Sequence, residues 1–269
     1  MNTKLFLHAT LMLGLTAGAT TAFAADVANM TVNDIAQCMR QNVVERGSLR
    51  DFQVNAFDAE GKSNNLKVKV FWKPAKTSDE SRMTLQVLEP DTYAGTAYLL
   101  ASDGQSEQIN LYLPALKRVQ PVVGSEMTQK LWGSDFTFAD VKQVQGLLVD
   151  GNAKRLADAA VSGRPTYLVE TATDKSQTGY SMVRSYIDQQ SCTMLKAELF
   201  ADGTTPTKVL TGDLNRLVEV EPYWVMLGYT MNDLKAGTHT DLVLSDVYLL
   251  ERGLPESLFT PEGFYQPYE

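Results

Sequence analysis

Few side chains in this sequence have the type and spacing that covalent chemistry requires. One histidine, His8, lies in an apolar N-terminal run, and the other, His239, stands in Gly237-Thr238-His239-Thr240-Asp241. A serine nucleophile would need that imidazole, an orienting carboxylate and an oxyanion hole. No G-x-S-x-G elbow supplies them, so His239 reads as a solvent-facing residue at the start of a strand. With Asp241 it offers two candidate metal ligands where a zinc site uses about four, and no metal is expected. Gly61, Gly104 and Gly163 are isolated turn glycines rather than a phosphate-cradling loop, and no cofactor is expected. Asp135 and Asp140 are close enough to raise the question of two-carboxylate acid–base work. That chemistry needs one raised pKa and a platform for the sugar. Asp135 reads more simply as a loop carboxylate that accepts backbone N–H groups or pairs with Arg118 or Lys117. The expectation is a protein that is not an enzyme.

The remaining reactive pair is Cys38 and Cys192. In an oxidising compartment an even pair reads as a disulfide, with two inert buried thiols as the alternative. The compartment follows from residues 1–24. Lys4, an apolar run from Leu5 to Leu15 and Ala22-Phe23-Ala24 form a secretory signal peptide cleaved after Ala24. The run is too short, and too interrupted by Gly14 and Gly18, for a stable span. Residues 25–269 then form a single exported domain, located in the periplasm. The formal net charge is −8, and Lys4 is the only charge in the signal. So acidic a surface argues against nucleic acid or anionic membrane as the main partner.

The hydrophobic period sets the elements. Thr31 and Asp34 can cap a helix in which Val32, Ile35, Ala36, Met39 and Val43 recur at helical spacing to about Glu45. From Leu49 the period becomes two. Leu66, Val68, Val70 and Trp72 alternate with Lys67, Lys69 and Phe71, and Met83, Leu85 and Val87 with Thr84 and Gln86. Pro74–Asp79 connects these runs. Further strands are expected at Lys154–Val161, Thr166–Thr171, Tyr180–Ile187, Met194–Phe200 and Thr207–Thr211. A last hairpin is formed by Val218–Met231, broken at Pro222, and Thr238–Leu250. Helix is expected mainly at the N-terminus and near residues 125–145, and the tail Leu254–Pro261 is a loop or one short helical turn. This is roughly ten or eleven antiparallel strands in one mainly β domain.

The stretch Tyr93–Val141 organises the rest. Gly95–Leu100 and Glu107–Leu113 form a hairpin across Ser102-Asp103-Gly104; Pro114 stops ladder pairing, and Lys117-Arg118 follow. Then comes Leu131-Trp132-Gly133-Ser134-Asp135-Phe136-Thr137-Phe138-Ala139-Asp140, large rings beside Gly, Ser and Asp, suited to a tight loop whose rings tuck inward. The motifs YLPALKRV and GSDFTFADV, carried by Tyr112, Leu113, Pro114, Lys117, Arg118, Gly133, Ser134, Asp135, Phe136 and Asp140, resemble the periplasmic outer-membrane lipoprotein-sorting family, the LolA/LolB-like proteins. The branch associated with RND-type lipid exporters is the nearer likeness.

The resemblance implies a curved antiparallel half-barrel of about eleven strands, covered by helices and enclosing an apolar cavity. It implies a carrier or chaperone that holds a lipid or lipoprotein acyl moiety and passes it toward the outer membrane or a transporter. Trp72, Leu85, Val87, Tyr98, Trp132, Phe136 and Trp224 are expected at or near the cavity, since aromatic and aliphatic side chains adapt to acyl chains. Each alone reads more simply as ordinary core. Lys117 and Arg118 are candidates for a headgroup or partner contact, or a solvated loop pair. An RND-type transporter and an outer-membrane acceptor are the partners implied, with the carrier itself a monomer. The rival reading is a non-enzymatic lipid-sensing or transporter-accessory module.

Overall fold

A computed structural model describes residues 29–43, 46–73, 80–103, 107–144, 152–250 and 253–268. The expected signal peptide at residues 1–24, the Pro74–Asp79 connection and Gly104 lie outside the described residues.

The unit from Thr31 to Glu269 starts with α1 (Val32–Arg40). Thr31 and Asp34 form a reciprocal capping box, and Ile35, Ala36 and Met39 are buried. Six strands follow as a meander: β1 (Ser48–Phe57), β2 (Ser63–Lys73), β3 (Glu80–Glu89), β4 (Ala97–Asp103), β5 (Glu107–Leu113) and β6 (Arg118–Pro121). After a 3₁₀ turn at Gly124–Thr128 come α2 (Phe138–Val144), β7 (Ala153–Arg155), β8 (Ala159–Val161) and β9 (Arg164–Ala172). Next are the short α3 (Lys175–Thr178), β10 (Met182–Asp188), β11 (Met194–Phe200) and β12 (Lys208–Gly212). The small hairpin β13 (Leu217–Val220) and β14 (Tyr223–Met226) precedes β15 (Gly228–Asp233) and β16 (Thr238–Leu249).

Fourteen strands form one sheet in the order β6-β5-β4-β3-β2-β1-β16-β15-β12-β11-β10-β9-β7, with β8 on β9 and the β13–β14 hairpin separate. The sheet ends at β6 and β7 and does not close, which is the curved antiparallel architecture that the family resemblance implies. It has more than eleven strands because three- and four-residue pieces such as β6, β7 and β8 are too short to show a period. The two halves meet where the first strand pairs the last, from Ser48 opposite Leu249 to Phe57 opposite His239. Two helical expectations are corrected. Only Phe138–Val144 of the 125–145 region is α-helical, and α1 ends at Arg40 rather than near residue 45.

Strand β3 shows what alternation cannot. Met83, Leu85 and Val87 face one core, yet Thr84 and Gln86 on the other face are also buried. The C-terminal tail covers them: Thr84 Oγ1 donates to the Leu258 carbonyl, and Gln86 Nε2 to that of Phe264 at 2.7 Å. Leu258, Phe259 and Phe264 pack there with Phe71 and Leu99. Gly263 permits the fold-back, since a Cβ would lie 2.9 Å from the Ser257 carbonyl carbon and closer still to its oxygen. Gly263→Ala should therefore cost about 1–3 kcal/mol by overpacking. An unchanged urea midpoint would show that the tail does not hold this face.

Cys38 on α1 and Cys192 after β10 form a disulfide, with Cα atoms 5.6 Å apart across a separation of 154 residues. Buried Asp188 supports the same turn. It accepts from Arg164 Nε at 2.9 Å and Nη2 at 2.7 Å, and from the Ser191 N–H at 2.8 Å. Burial opposes its ionisation, but these donors outweigh burial and hold its carboxyl below the ordinary value of 3.8. The stability it contributes is present above an unfolded pKa of about 3.9 and is lost as pH falls through the lower folded value. Asp188→Asn should flatten the acid limb of a stability–pH curve below about pH 4. An acid limb that keeps its slope would count against this assignment.

Candidate lipid cavity

Between the concave face of the sheet and the elements above it lies a cavity of about 340 Å³. Its floor is the inward row of the central strands: Phe52 and Val54, Val68, Val70 and Trp72, Met83 and Leu85, Leu242 and Leu244. The cover comes from three places. Met39 and Val43 belong to α1 and the turn after it, Leu131, Trp132 and Phe136 to the loop before α2, and Trp224–Met226 to the β13–β14 hairpin. Val43 and Val247 are the lining residues left exposed, at 38% and 44%, and mark the mouth.

Five expected cavity residues, Trp72, Leu85, Trp132, Phe136 and Trp224, line this space. The other two, Val87 and Tyr98, are on the same side of the sheet but belong to solid core, where Tyr98 packs 5.3 Å from the Phe138 ring. Lys117 and Arg118 are exposed at the β5–β6 turn, Lys117 in the left-handed region at φ 47°. They are not among the cavity's lining residues. Leu113 and Pro114 shape that turn, with Pro114 opening its 3₁₀ helix. His239 is half-buried and stacks on Phe57 at 4.5 Å, instead of facing solvent freely.

Arg50 was not singled out from sequence. It is the one charged side chain among the lining residues, half-buried on β1 opposite Val247 and Val70. Its guanidinium lies 5.0 Å from the Trp72 ring centroid, and Nε donates to Ser48 Oγ at 3.0 Å. No carboxylate among the described residues pairs with it. Burial pulls its pKa below the ordinary arginine value. An alternating Leu-Arg-Asp-Phe run carries no sign of which charge points inward, so only the strand register could reveal it.

The GSDFTFADV segment holds the roof. Trp132 and Gly133 both have positive φ, 48° and 76°, which makes the loop tight enough for the Ser134 N–H to reach the Leu131 carbonyl at 2.8 Å. Asp135 is buried and accepts from Lys130 Nζ at 2.7 Å, Thr238 Oγ1 at 2.6 Å and Thr240 Oγ1 at 2.9 Å. Lys130, not Lys117 or Arg118, is therefore its ion partner, because the loop folds against β15 and β16 rather than against the β5–β6 turn. Thr137 and Asp140 cap α2 reciprocally, with each backbone N–H on the other's side chain. Beneath them, buried Lys208 donates to the Asp135 carbonyl at 2.6 Å and to Asp140 Oδ2 at 3.2 Å. Tyr180 donates to the same carboxylate oxygen at 3.4 Å. Burial, and then the Asp140 charge, push its phenol far above its ordinary pKa and keep it a donor. Both Asp135 oxygens and Asp140 Oδ2 are held by fixed donors, while Asp140 Oδ1 is buried with no hydrogen-bond partner, so the pair helps hold the loop in place.

The hairpin part of the cover is held differently. Asn42 accepts from the Trp224 N–H at 2.8 Å and donates to the Ser191 carbonyl at 2.6 Å. One side chain thus ties the hairpin to the disulfide turn. At its root Gly212 and Met226 approach so closely that a Cβ on Gly212 would lie 2.6 Å from Met226 Cε.

The same unclosed antiparallel sheet is found in solved structures of low sequence identity. A domain from Vibrio parahaemolyticus described as an outer membrane lipoprotein-sorting protein domain superposes with a TM-score of 0.75 at 21% identity, covering 88% of this chain and 98% of that one. A DUF1329 family protein from Desulfovibrio piger gives 0.74 at 21% identity, with coverage of 85% and 95%. A LolA superfamily protein from Nitrosomonas europaea gives 0.64 at 17%, with coverage of 86% and 98%. No curated protein matches the sequence. A family model described as "uncharacterized protein" matches residues 79–265, and the chain belongs to that family.

Proposed function

We propose that this protein is a periplasmic carrier that holds the acyl part of a lipid or lipoprotein in the concave cavity and passes it on. The observation carrying the reading is the cavity itself: about 340 Å³ of space whose lining is apolar apart from Arg50 and a few small polar groups. A packed enzyme-like cleft would instead gather convergent polar groups. Each methylene buried contributes about 0.8 kcal/mol without directional contacts, so one cavity can accept related chains. In this reading residues 1–24 direct export and residues 25–269 act as one monomeric domain. An inner-membrane RND-type transporter and an outer-membrane acceptor are the partners on either side of the transfer. Lys117 and Arg118, exposed and outside the cavity lining, fit a contact with such a partner better than a headgroup.

The exported chain, purified without detergent and extracted for lipid mass spectrometry, should carry an acylated species near 1:1. Trp132→Asp or Trp72→Asp, each placing a charge against the acyl chain, should lower that occupancy at least about tenfold. A clean extract together with no uptake of fluorescent acyl probes would defeat the carrier reading. The lipid-sensing or accessory module, favoured by exposed Val247, Tyr248 and Leu249 beside the mouth, would then stand in its place.

A further inference from the structure

Resting on the carrier reading, we propose that the cargo is a single-chain amphiphile with an anionic head, its chain along the cavity floor and its carboxylate or phosphate on Arg50. Two independent observations lead there. The first is charge. Arg50 is a half-buried cation whose described partners are a neutral hydroxyl, Ser48 Oγ, and the Trp72 ring. A guanidinium has five N–H donors and binds carboxylate or phosphate with two parallel bonds. Desolvating such a group without a counter-charge is costly, and an anionic head supplies both the charge and the acceptors.

The second observation is size. An apolar cavity of roughly 150 Å³ takes the six carbons of benzene, so about 340 Å³ takes roughly fourteen carbons on the same scale. That is one acyl chain, not two or three. The layout agrees. Arg50 stands opposite Val247 at the mouth, and Val54, also in the lining, is four residues deeper along β1, roughly 13 Å at strand spacing. A head held by Arg50 sends its chain down this row toward Val54 and Leu242, which pair across β1 and β16. A second chain would remain against solvent.

The test compares ligands of one chain length on the exported protein: myristate, tetradecanol, 1-myristoyl-lysophosphatidylglycerol and dimyristoyl-phosphatidylglycerol. Myristate or the lysolipid should bind 1:1 and at least about tenfold tighter than tetradecanol, as expected of charge-assisted bonds. The tighter of the two identifies whether a free fatty acid or a lysophospholipid is the source. Arg50→Leu should erase the preference while tetradecanol still binds, and Arg50→Lys should retain part of it. If Arg50→Leu fails to fold, the wild-type acid-to-alcohol ratio and Arg50→Lys decide. Equal binding of acid and alcohol, or 1:1 binding of the two-chain lipid as tight as the lysolipid, would overturn the proposal and leave a carrier of another cargo. Failure of all four ligands to bind would count against the carrier reading itself.

Discussion

Lys208→Met should lower the unfolding free energy by about 3–5 kcal/mol, the cost of leaving a buried charge without its partner. Lys208 and Asp140 are both almost fully buried, with side chains 10% and 1% exposed. Methionine keeps the length and much of the volume of the lysine stem, so packing is disturbed little. What disappears is the cation against Asp140 and the donor to the Asp135 carbonyl. Asp140 would keep the Thr137 N–H and the Tyr180 hydroxyl, which solvate the charge without neutralising it. Adding Asp140→Asn should then cost less in the Lys208→Met background than in the parent, because the pair acts as a unit. Urea denaturation of the four chains measures the coupling. Strictly additive costs would mean that Lys208 acts through packing alone. Since whole domains are stable by only about 5–15 kcal/mol, losing this one cation removes a large share of the fold's stability.

Breaking the disulfide is the second large effect. Closing a loop of 154 residues corresponds to about 5 kcal/mol in the chain-entropy account. Cys38→Ser with Cys192→Ser should approach that loss, and reduction of the parent should reproduce it. The loss should fall unevenly. α1 contributes Met39 and, through the turn after it, Asn42 and Val43 to the cavity. Amide exchange should therefore accelerate in α1 and the β13–β14 hairpin before the central strands. Uniform loss of protection across the sheet would show that the bond stabilises the domain without anchoring the cover.

The central strands were legible because their alternation is strict. Val68, Val70, Met83 and Leu85 each take the face that a period of two assigns, and Trp72, Trp132 and Trp224 reach one cavity from three separate segments. The capping box at Thr31 and Asp34 was readable for the same local reason. Arg50 and Lys208 were not. Each is a cation in an ordinary strand, and what makes it unusual is burial against residues distant in sequence. The same holds for Asp135, whose partners Thr238 and Thr240 lie 103 and 105 positions away. Thr84 and Gln86 looked like the wet face of β3 because the tail that covers them follows nearly 180 residues later and shows no period of its own.

The pairing of β1 with β16 also bears on how the protein comes into being. A chain synthesised N-terminus first presents Ser48–Phe57 early and Thr238–Leu249 almost last. For most of that time the meander β1–β6 has one open flank, a row of backbone donors and acceptors that nothing from its own chain can satisfy. Contacts between such remote segments form slowly. The emerging chain therefore spends its first moments as a half-sheet with apolar Phe52, Val54 and Trp72 on show. A truncation before residue 238 should therefore aggregate rather than yield a smaller folded domain.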